Sequence, residues 1–406
     1  MTNRSKTPIL LTLLLAAGLP QVAPAMIAFQ AQPVGSPFEL LEKYHKIGAK
    51  HPNVAGILVV DPKLGLYPGA TGTLIGYSKD GSLGYLLTAA HPFFAAPDSD
   101  QLQLDTAYRI CFSPQVPKEA KEGLQATPTR LIVHPGRTRA TLMEVRPPFI
   151  LESKSGASRN DLAILEFPAT ALRADLEKAG AVPAGLYGPE GYARTDVEAR
   201  VVGFGFAGTT WTSGFVVDPL QVHGGNTTVS YATYGDRTGF YHWSPIHEMG
   251  LYDPASRPGG TAPYRFMLGQ AGAGLVNPLD GSPASVRSAK FQVMTCSGDS
   301  GGPLFLNTKE GFKVAGICGS AQRADLQSAA SAKPDVPCYL EHWEPLKDHL
   351  TWINGVLAGE LGGARVLTFA TGQEAKVGTW IETKADAGTE TKAEVKAEAE
   401  AEAEAV

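Results

Sequence analysis

The middle of this chain is built from short apolar runs separated by stretches rich in glycine, proline, asparagine and aspartate, and that spacing limits what it can fold into. "VAGILVV" (54–60), "GTLIGYS" (72–78) and "LGYLLTAA" (83–90) are followed by "YRICF" (108–112), "TRLIVH" (129–134) and "DLAILEF" (161–167). "ARVVGFGF" (199–206), "GPLFLN" (302–307) and "FKVAGICG" (312–319) complete the set. Runs of this length suit strands better than helices, which need longer periodic segments. The 45 glycines and 30 prolines exceed ordinary usage and supply the turns between them. The expectation is an all-β architecture, sandwich or barrel. One helix is expected after the N-terminal segment, in "EPLKDHLTWINGVL" (344–357), where Leu346, Leu350, Ile353 and Leu357 share a face and Pro345 suits a first turn.

The two ends read differently. Arg4 and Lys6 precede the apolar stretch "PILLTLLLAAGL" (8–19), and "APA" (23–25) offers small residues for cleavage after Ala25, so residues 1–25 are expected to be a signal peptide. The protein is then secreted or periplasmic, and with no other apolar run of ~18 residues it is expected to have no membrane association after signal removal. From Glu382 the chain turns to Ala, Glu, Lys and Thr, ending "KAEVKAEAEAEAEAV". That pattern has no apolar stripe to bury and is expected to be a disordered acidic tail. A net charge of −5 without a basic stripe points away from nucleic acid. The four cysteines, Cys111, Cys296, Cys318 and Cys338, allow two disulfides in an exported chain, with three connectivities. None has the close spacing of a zinc ribbon, and Leu251 stands where a zinc-protease helix begun by His247-Glu248 would need a second ligand, so no metal is expected.

"CSGDSGGPLF" (296–305) surrounds one hydroxyl with residues that have almost no side chain. A serine hydroxyl becomes a nucleophile only with a base in reach, a group that orients the base, and donors for the oxyanion. Glycines 298, 301 and 302 permit unusual backbone angles, so the amides of Gly298 and Ser300 can converge on one point. His91 ends the run "YLLTAA", at a strand end where a cleft can form. Asp161 stands directly before an apolar strand, whereas Asp98, Asp100 and Asp105 lie in the polar stretch "PDSDQLQLD" (97–105), where a solvated role suffices.

Taken together and in order, "LLTAAH", "NDLAIL" and "CSGDSGGPLF" resemble the three signature blocks of the trypsin/chymotrypsin-like serine proteases, over roughly residues 53–357. The resemblance implies two six-stranded antiparallel β-barrels with a C-terminal helix, "HLTWINGVL", and "VVGFGFAG" (201–208) is similar to the segment that opens the second barrel. It implies His91 as general base, Asp161 as the carboxylate orienting it, Ser300 as nucleophile, and the Gly298 and Ser300 amides as the oxyanion hole. The domain plan is a signal peptide (1–25), an N-terminal segment or propeptide (26–52), a protease domain (53–357) with insertions around 211–290, and a C-terminal extension (358–406). The order His, Asp, Ser and the strand-like "GGPLFL" exclude the α/β-hydrolases that G-x-S-x-G alone would admit.

The resemblance further implies Met294, Gly319 and Ser320 as substrate-pocket residues, the last two in "GICGSA" (316–321) where the family has Ser-Trp-Gly. Methionine at 294 implies a preference for uncharged small or apolar residues before the scissile bond. Pro92 occupies a family cysteine position, while Cys296 matches one, with Cys338 or Cys318 as partner. Asp299 matches the aspartate that pairs with a new N-terminal ammonium on activation. No Ile-Val-Gly-Gly is present, so either Ile27 becomes that terminus, or another cleavage serves, or Asp299 has an internal partner and there is no zymogen. The expected function is an exported serine endopeptidase acting on protein or peptide substrates without a cofactor, insensitive to chelators and rising in activity as its base deprotonates. The alternative is an exported binding protein on the same fold that cleaves nothing.

Overall fold

The computed structural model describes residues 27–28, 37–61, 65–95, 101–103, 106–116, 123–139, 149–150, 158–188, 192, 197–205, 208–209, 221–234, 237–248, 266–268, 291, 293–295, 298–326, 336–369 and 380–384. Residues 1–25, expected to be a signal peptide, the acidic stretch beyond Lys384, Cys296, and the rival aspartates 98, 100 and 105 lie outside them.

The protein is mostly β, with two curled antiparallel sheets and few helices. The first sheet has nine strands, in the order Trp380–Lys384, Arg365–Phe369, Arg130–Val133, Ala163–Pro168, Leu83–Thr88, Gly65–Tyr77, Val54–Asp61, Ala107–Cys111 and Gln125–Ala126. The second has eight, on the path His223–Tyr234, Val197–Gly203, Pro303–Thr308, Gly311–Leu326, Val336–Pro345, Arg237–Glu248 and Phe266–Leu268, with Phe149–Ile150 attached to Gly311–Leu326. All nine apolar runs of the sequence are strands, because each carries β-branched and aliphatic residues at a length a sheet can bury. Ala55, Ile57, Leu74, Leu86, Ala163 and Leu165 are buried in one core of the first sheet. Leu87, Ile164, Val202, Phe204, Phe305 and Ile317 form another core that both sheets share. Alternate residues of the same strand thus serve two cores, the period-two pattern of a sheet covered on both faces.

Four parts of the chain depart from the sequence reading. The insertion region supplies two twelve-residue strands, His223–Tyr234 and Arg237–Glu248, which pair with each other and with the second sheet. The expected helix over 344–357 starts later: Glu344 and Pro345 end the Val336–Pro345 strand, Leu346–Asp348 make a 3₁₀ turn, and the α-helix is Leu350–Leu357. Glu344 pairs with Ile317 across the sheet, and a residue held in that ladder cannot enter the helix. Beyond the helix, Arg365–Phe369 and Trp380–Lys384 extend the first sheet, so Glu382 to Lys384, assigned from composition to the tail, are strand. The helix Pro37–Gly48, unexpected from the sequence, buries Leu41 and Tyr44 against the His223–Tyr234 strand. No helix among the described residues is long and apolar enough to cross a membrane.

Candidate active site

His91 follows the Leu83–Thr88 strand and opens a 3₁₀ turn, His91–Phe93, which Pro92 favours through its fixed φ. Asp161 precedes the neighbouring Ala163–Pro168 strand. The turn before it uses Asn160 in the left-handed region (φ 50), a conformation asparagine tolerates, and the Asn160 amide donates to the Gly136 carbonyl at 2.6 Å. This reversal drives Asp161 inward, where it is 1% exposed. Its Oδ1 accepts the backbone N–H of Ala90 at 3.2 Å and of His91 at 2.8 Å. Its Oδ2 stands 2.6 Å from His91 Nδ1. A carboxylate can only accept, so Nδ1 carries the proton and Nε2 is left to accept from Ser300 Oγ, 2.8 Å away. The structure therefore brings the three expected residues into one hydrogen-bonded line, two from the first sheet and one from the second.

The serine loop explains its glycines. Gly298 has φ +90 and Gly301 φ +83, both in the region that costs glycine nothing. A side chain at 301 would also meet Thr88 Oγ1 at 2.0 Å and the Thr71 carbonyl at 2.4 Å. The loop is stitched to both sheets: Thr71 N–H donates to the Ser300 carbonyl at 2.8 Å, and Gly301 N–H to the Cys318 carbonyl at 2.8 Å. Thr71 Oγ1 donates to the Gly298 carbonyl at 2.8 Å and accepts from Phe204 N–H at 2.9 Å. The Gly298 and Ser300 amides donate to no acceptor among the described residues, which leaves them available to an oxyanion. Thr71 went unremarked in the sequence, since nothing local distinguishes it from any strand threonine.

Asp299 is fully buried, and its Oδ1 accepts from Gly205 N–H at 3.0 Å. Its carboxylate lies where a Cβ on Gly203 would have to go, 1.9 Å away. Asp299 thus has an internal backbone partner. Ile27–Ala28 is a short strand between Gly208–Thr209 and Val293–Met294. Met294 is placed in that strand by its backbone. Gly319 is buried, Ser320 is half-buried, and the sheet register shifts between Cys318 and Ser320. Cys111 and Cys318 are free buried thiols, so Cys318 is not the partner of Cys296 and two disulfides do not form as expected. Cys338 is described by its backbone, in the Val336–Pro345 strand.

Sequence reasoning also missed Glu341. This residue is wholly buried on the Val336–Pro345 strand and accepts from Thr295 N–H at 2.5 Å and Thr295 Oγ1 at 2.6 Å, five residues before Ser300. Burial, with Asp299 nearby, pushes its carboxyl up to about 8 against the two Thr295 bonds, so it holds its proton at neutral pH. Burial likewise pushes the Cys318 thiol up and keeps it unreactive. Among the described residues no group of His, Cys, Asp and Glu is arranged to hold a metal ion.

Chemically, the arrangement is a hydroxyl facing an oriented base beside two unengaged amides, the constellation of a nucleophilic acyl-transfer site. No family model matches the chain, and no curated protein matches it.

Proposed function

We propose that this chain is a serine endopeptidase of the trypsin/chymotrypsin-like type, exported by its N-terminal segment. The observation that carries the reading is the line from Asp161 Oδ2 to His91 Nδ1 at 2.6 Å and from His91 Nε2 to Ser300 Oγ at 2.8 Å. In this reading Ser300 Oγ attacks a peptide carbonyl carbon as Nε2 takes its proton. The Gly298 and Ser300 amides bind the oxygen that becomes negative, and the imidazolium, held by Asp161, returns the proton to the leaving amine. Water then repeats the sequence on the acyl-enzyme. Each oxyanion donor is worth about 3–4 kcal/mol in such chemistry.

We read the two sheets as the family's two six-stranded barrels. The second supports this best: its strands pair in sequence from His223–Tyr234 to Arg237–Glu248, and those two also pair with each other, closing a ring of six. The expected preference for an uncharged residue before the scissile bond draws support from Glu341, an acidic side chain hydrogen-bonded to Thr295 beside Met294. Protonated at neutral pH, it offers a cation no fixed partner. One oxygen of Asp299 is held by Gly205 N–H, a bond that does not depend on a new N-terminus.

The test is to treat signal-free protein with a fluorophosphonate and weigh it intact, beside Ser300→Ala. One adduct, absent from the variant, is expected, together with cleavage of unstructured peptides that EDTA leaves unchanged. Folded wild type that takes no adduct refutes the assignment and leaves the non-cleaving binding protein.

A further inference from the structure

Phe291, Val293, Met294 and Thr295 lead into the serine loop, and the protease reading puts Met294 at the substrate pocket. This stretch does not hold itself in place. Phe291 has φ 58, in the left-handed region that a bulky side chain rarely adopts, and it is 37% exposed. Such a backbone persists only where its surroundings over-determine it. Two sets of contacts come from the second sheet. Asn226 N–H donates to the Phe291 carbonyl at 2.9 Å, and Val293 lies so close to Gly225 that a Cβ there would meet its Cγ1 at 2.3 Å. Further on, Glu341 accepts from Thr295 N–H and Oγ1.

The third set comes from the N-terminal part of the chain. Ile27–Ala28 is the middle strand of three, parallel to Gly208–Thr209 and antiparallel to Val293–Met294. Ile27 stands opposite Met294, and Ala28 opposite Val293. In the helix Pro37–Gly48, the buried Tyr44 meets the Phe291 ring edge to face, with centroids 6.0 Å apart. Leu41 and Tyr44 share one buried cluster with Val293, Ala199 and Val201. The last turn of the helix is fixed as well. His45 Nδ1 donates to the Val222 carbonyl at 2.9 Å, and a Cβ on Gly224 would meet Gly48 N at 2.9 Å. Shedding residues 27–48 therefore strips Val293–Met294 of a strand partner, Phe291 of the ring against it, and Val293 of part of its core.

We propose, on the protease reading above, that residues 27–48 are a permanent arm of the working enzyme and not a propeptide, and that the Ile27–Ala28 strand positions Met294 for the residue before the scissile bond. The serine loop is anchored separately, at Gly298 and Ser300 by Thr71 and at Gly301 by the Cys318 carbonyl. Loss of the strand thus loosens the pocket segment and leaves the nucleophile assembled. A small fluorophosphonate needs the nucleophile, its base and the oxyanion amides, whereas a peptide must also fill the pocket.

The test uses the signal-free chain as wild type, Ala28→Pro and Ala28→Ser. Proline has no N–H to give and is excluded from the middle strand of a sheet, whereas serine keeps the backbone intact. Hydrogen exchange is followed by mass spectrometry over 291–295, fluorophosphonate labelling of Ser300 is timed, and kcat and KM are measured on a peptide with an apolar residue before the scissile bond. In Ala28→Pro, exchange at Val293 and Met294 is expected to quicken about tenfold. KM should rise about tenfold while labelling stays within about twofold of wild type. Ala28→Ser is expected to recover the protection and most of the affinity. Wild-type exchange in a folded Ala28→Pro protein, or labelling that falls as far as peptide cleavage, overturns the proposal. So does label found only on molecules whose intact mass shows residues 27–48 removed. Should Ala28→Pro not fold, the chain beginning at Ser36 is read in its place. Exchange needs no catalysis, so the expected exchange difference in a protein that takes no label faults the protease reading and not the hold of the arm on Met294.

Discussion

Glu341→Gln isolates the energetic cost of burying a carboxyl under the serine loop. In the folded protein Glu341 gives up its proton only near about 8, whereas its ordinary value is 4.5. Between those values the unfolded chain carries the charge and the native state carries the proton. The native state therefore binds more protons, and stability is complete below the ordinary carboxyl value and declines as pH rises toward 8. Each pH unit costs about 1.4 kcal/mol, so the three units from pH 5 to pH 8 cost about 4 kcal/mol through this one group. Glutamine keeps the acceptor that Thr295 N–H and Oγ1 reach at 2.5 and 2.6 Å and has no proton to lose. Urea unfolding at several pH values, followed by tryptophan fluorescence, reads the difference. At pH 5 the two proteins should be of comparable stability, and at pH 8 the variant should be the more stable by about 4 kcal/mol. A gap between variant and wild type that stays constant with pH refutes the reasoning, because it means that Glu341 ionises alike in both states.

Thr71→Val removes the hydroxyl that donates to Gly298 and accepts from Phe204. It is expected to cost about 2–3 kcal/mol in urea unfolding, and to slow fluorophosphonate labelling further, since the loop that presents the Gly298 amide loses its anchor. His51 stacks on Phe305 with ring centroids 5.0 Å apart, and burial, with Arg200 beside it, holds its ring down to about 4. Its unfolded value is near 6.5, so the stability it contributes is complete above that pH and is lost as pH falls toward 4. His51→Gln should flatten this acid limb by on the order of 2–3 kcal/mol, and an acid limb unchanged in the variant counts against the assignment.

The strands of this fold were readable because an apolar run of five to eight residues between turn formers has few other uses. The pair over 223–248 was not, since "HGGNTTVSYATYGDRTGFYHW" shows no apolar run, and its strands are defined by pairing with each other and with Val197–Gly203 and Val336–Pro345. The helix Pro37–Gly48 did leave a local mark that went unread. Ser36-Pro37-Phe38-Glu39 has the serine and glutamate spacing of a capping box with proline at the first turn, and Leu41 and Tyr44 follow three apart. The overlong C-terminal helix was a misreading of a different kind. Glu344 and Pro345 suit a helix start by propensity, and the sheet claimed them through long-range pairing.

By itself the sequence determined the alternation that makes the strands, the glycines at 298 and 301 that alone tolerate their backbone angles, and the blocks holding His91, Asp161 and Ser300. These are local properties, written in a few neighbouring residues. Tertiary structure decided that Thr71 anchors Gly298 from 227 positions away, that Gly205 partners Asp299, that Glu341 keeps its proton, and that Arg137 stands beside Asp161. The reason is dielectric and geometric. A carboxyl, an arginine or a hydroxyl has the same chemistry on any strand until the fold removes water from around it and sets which charge or amide it must face.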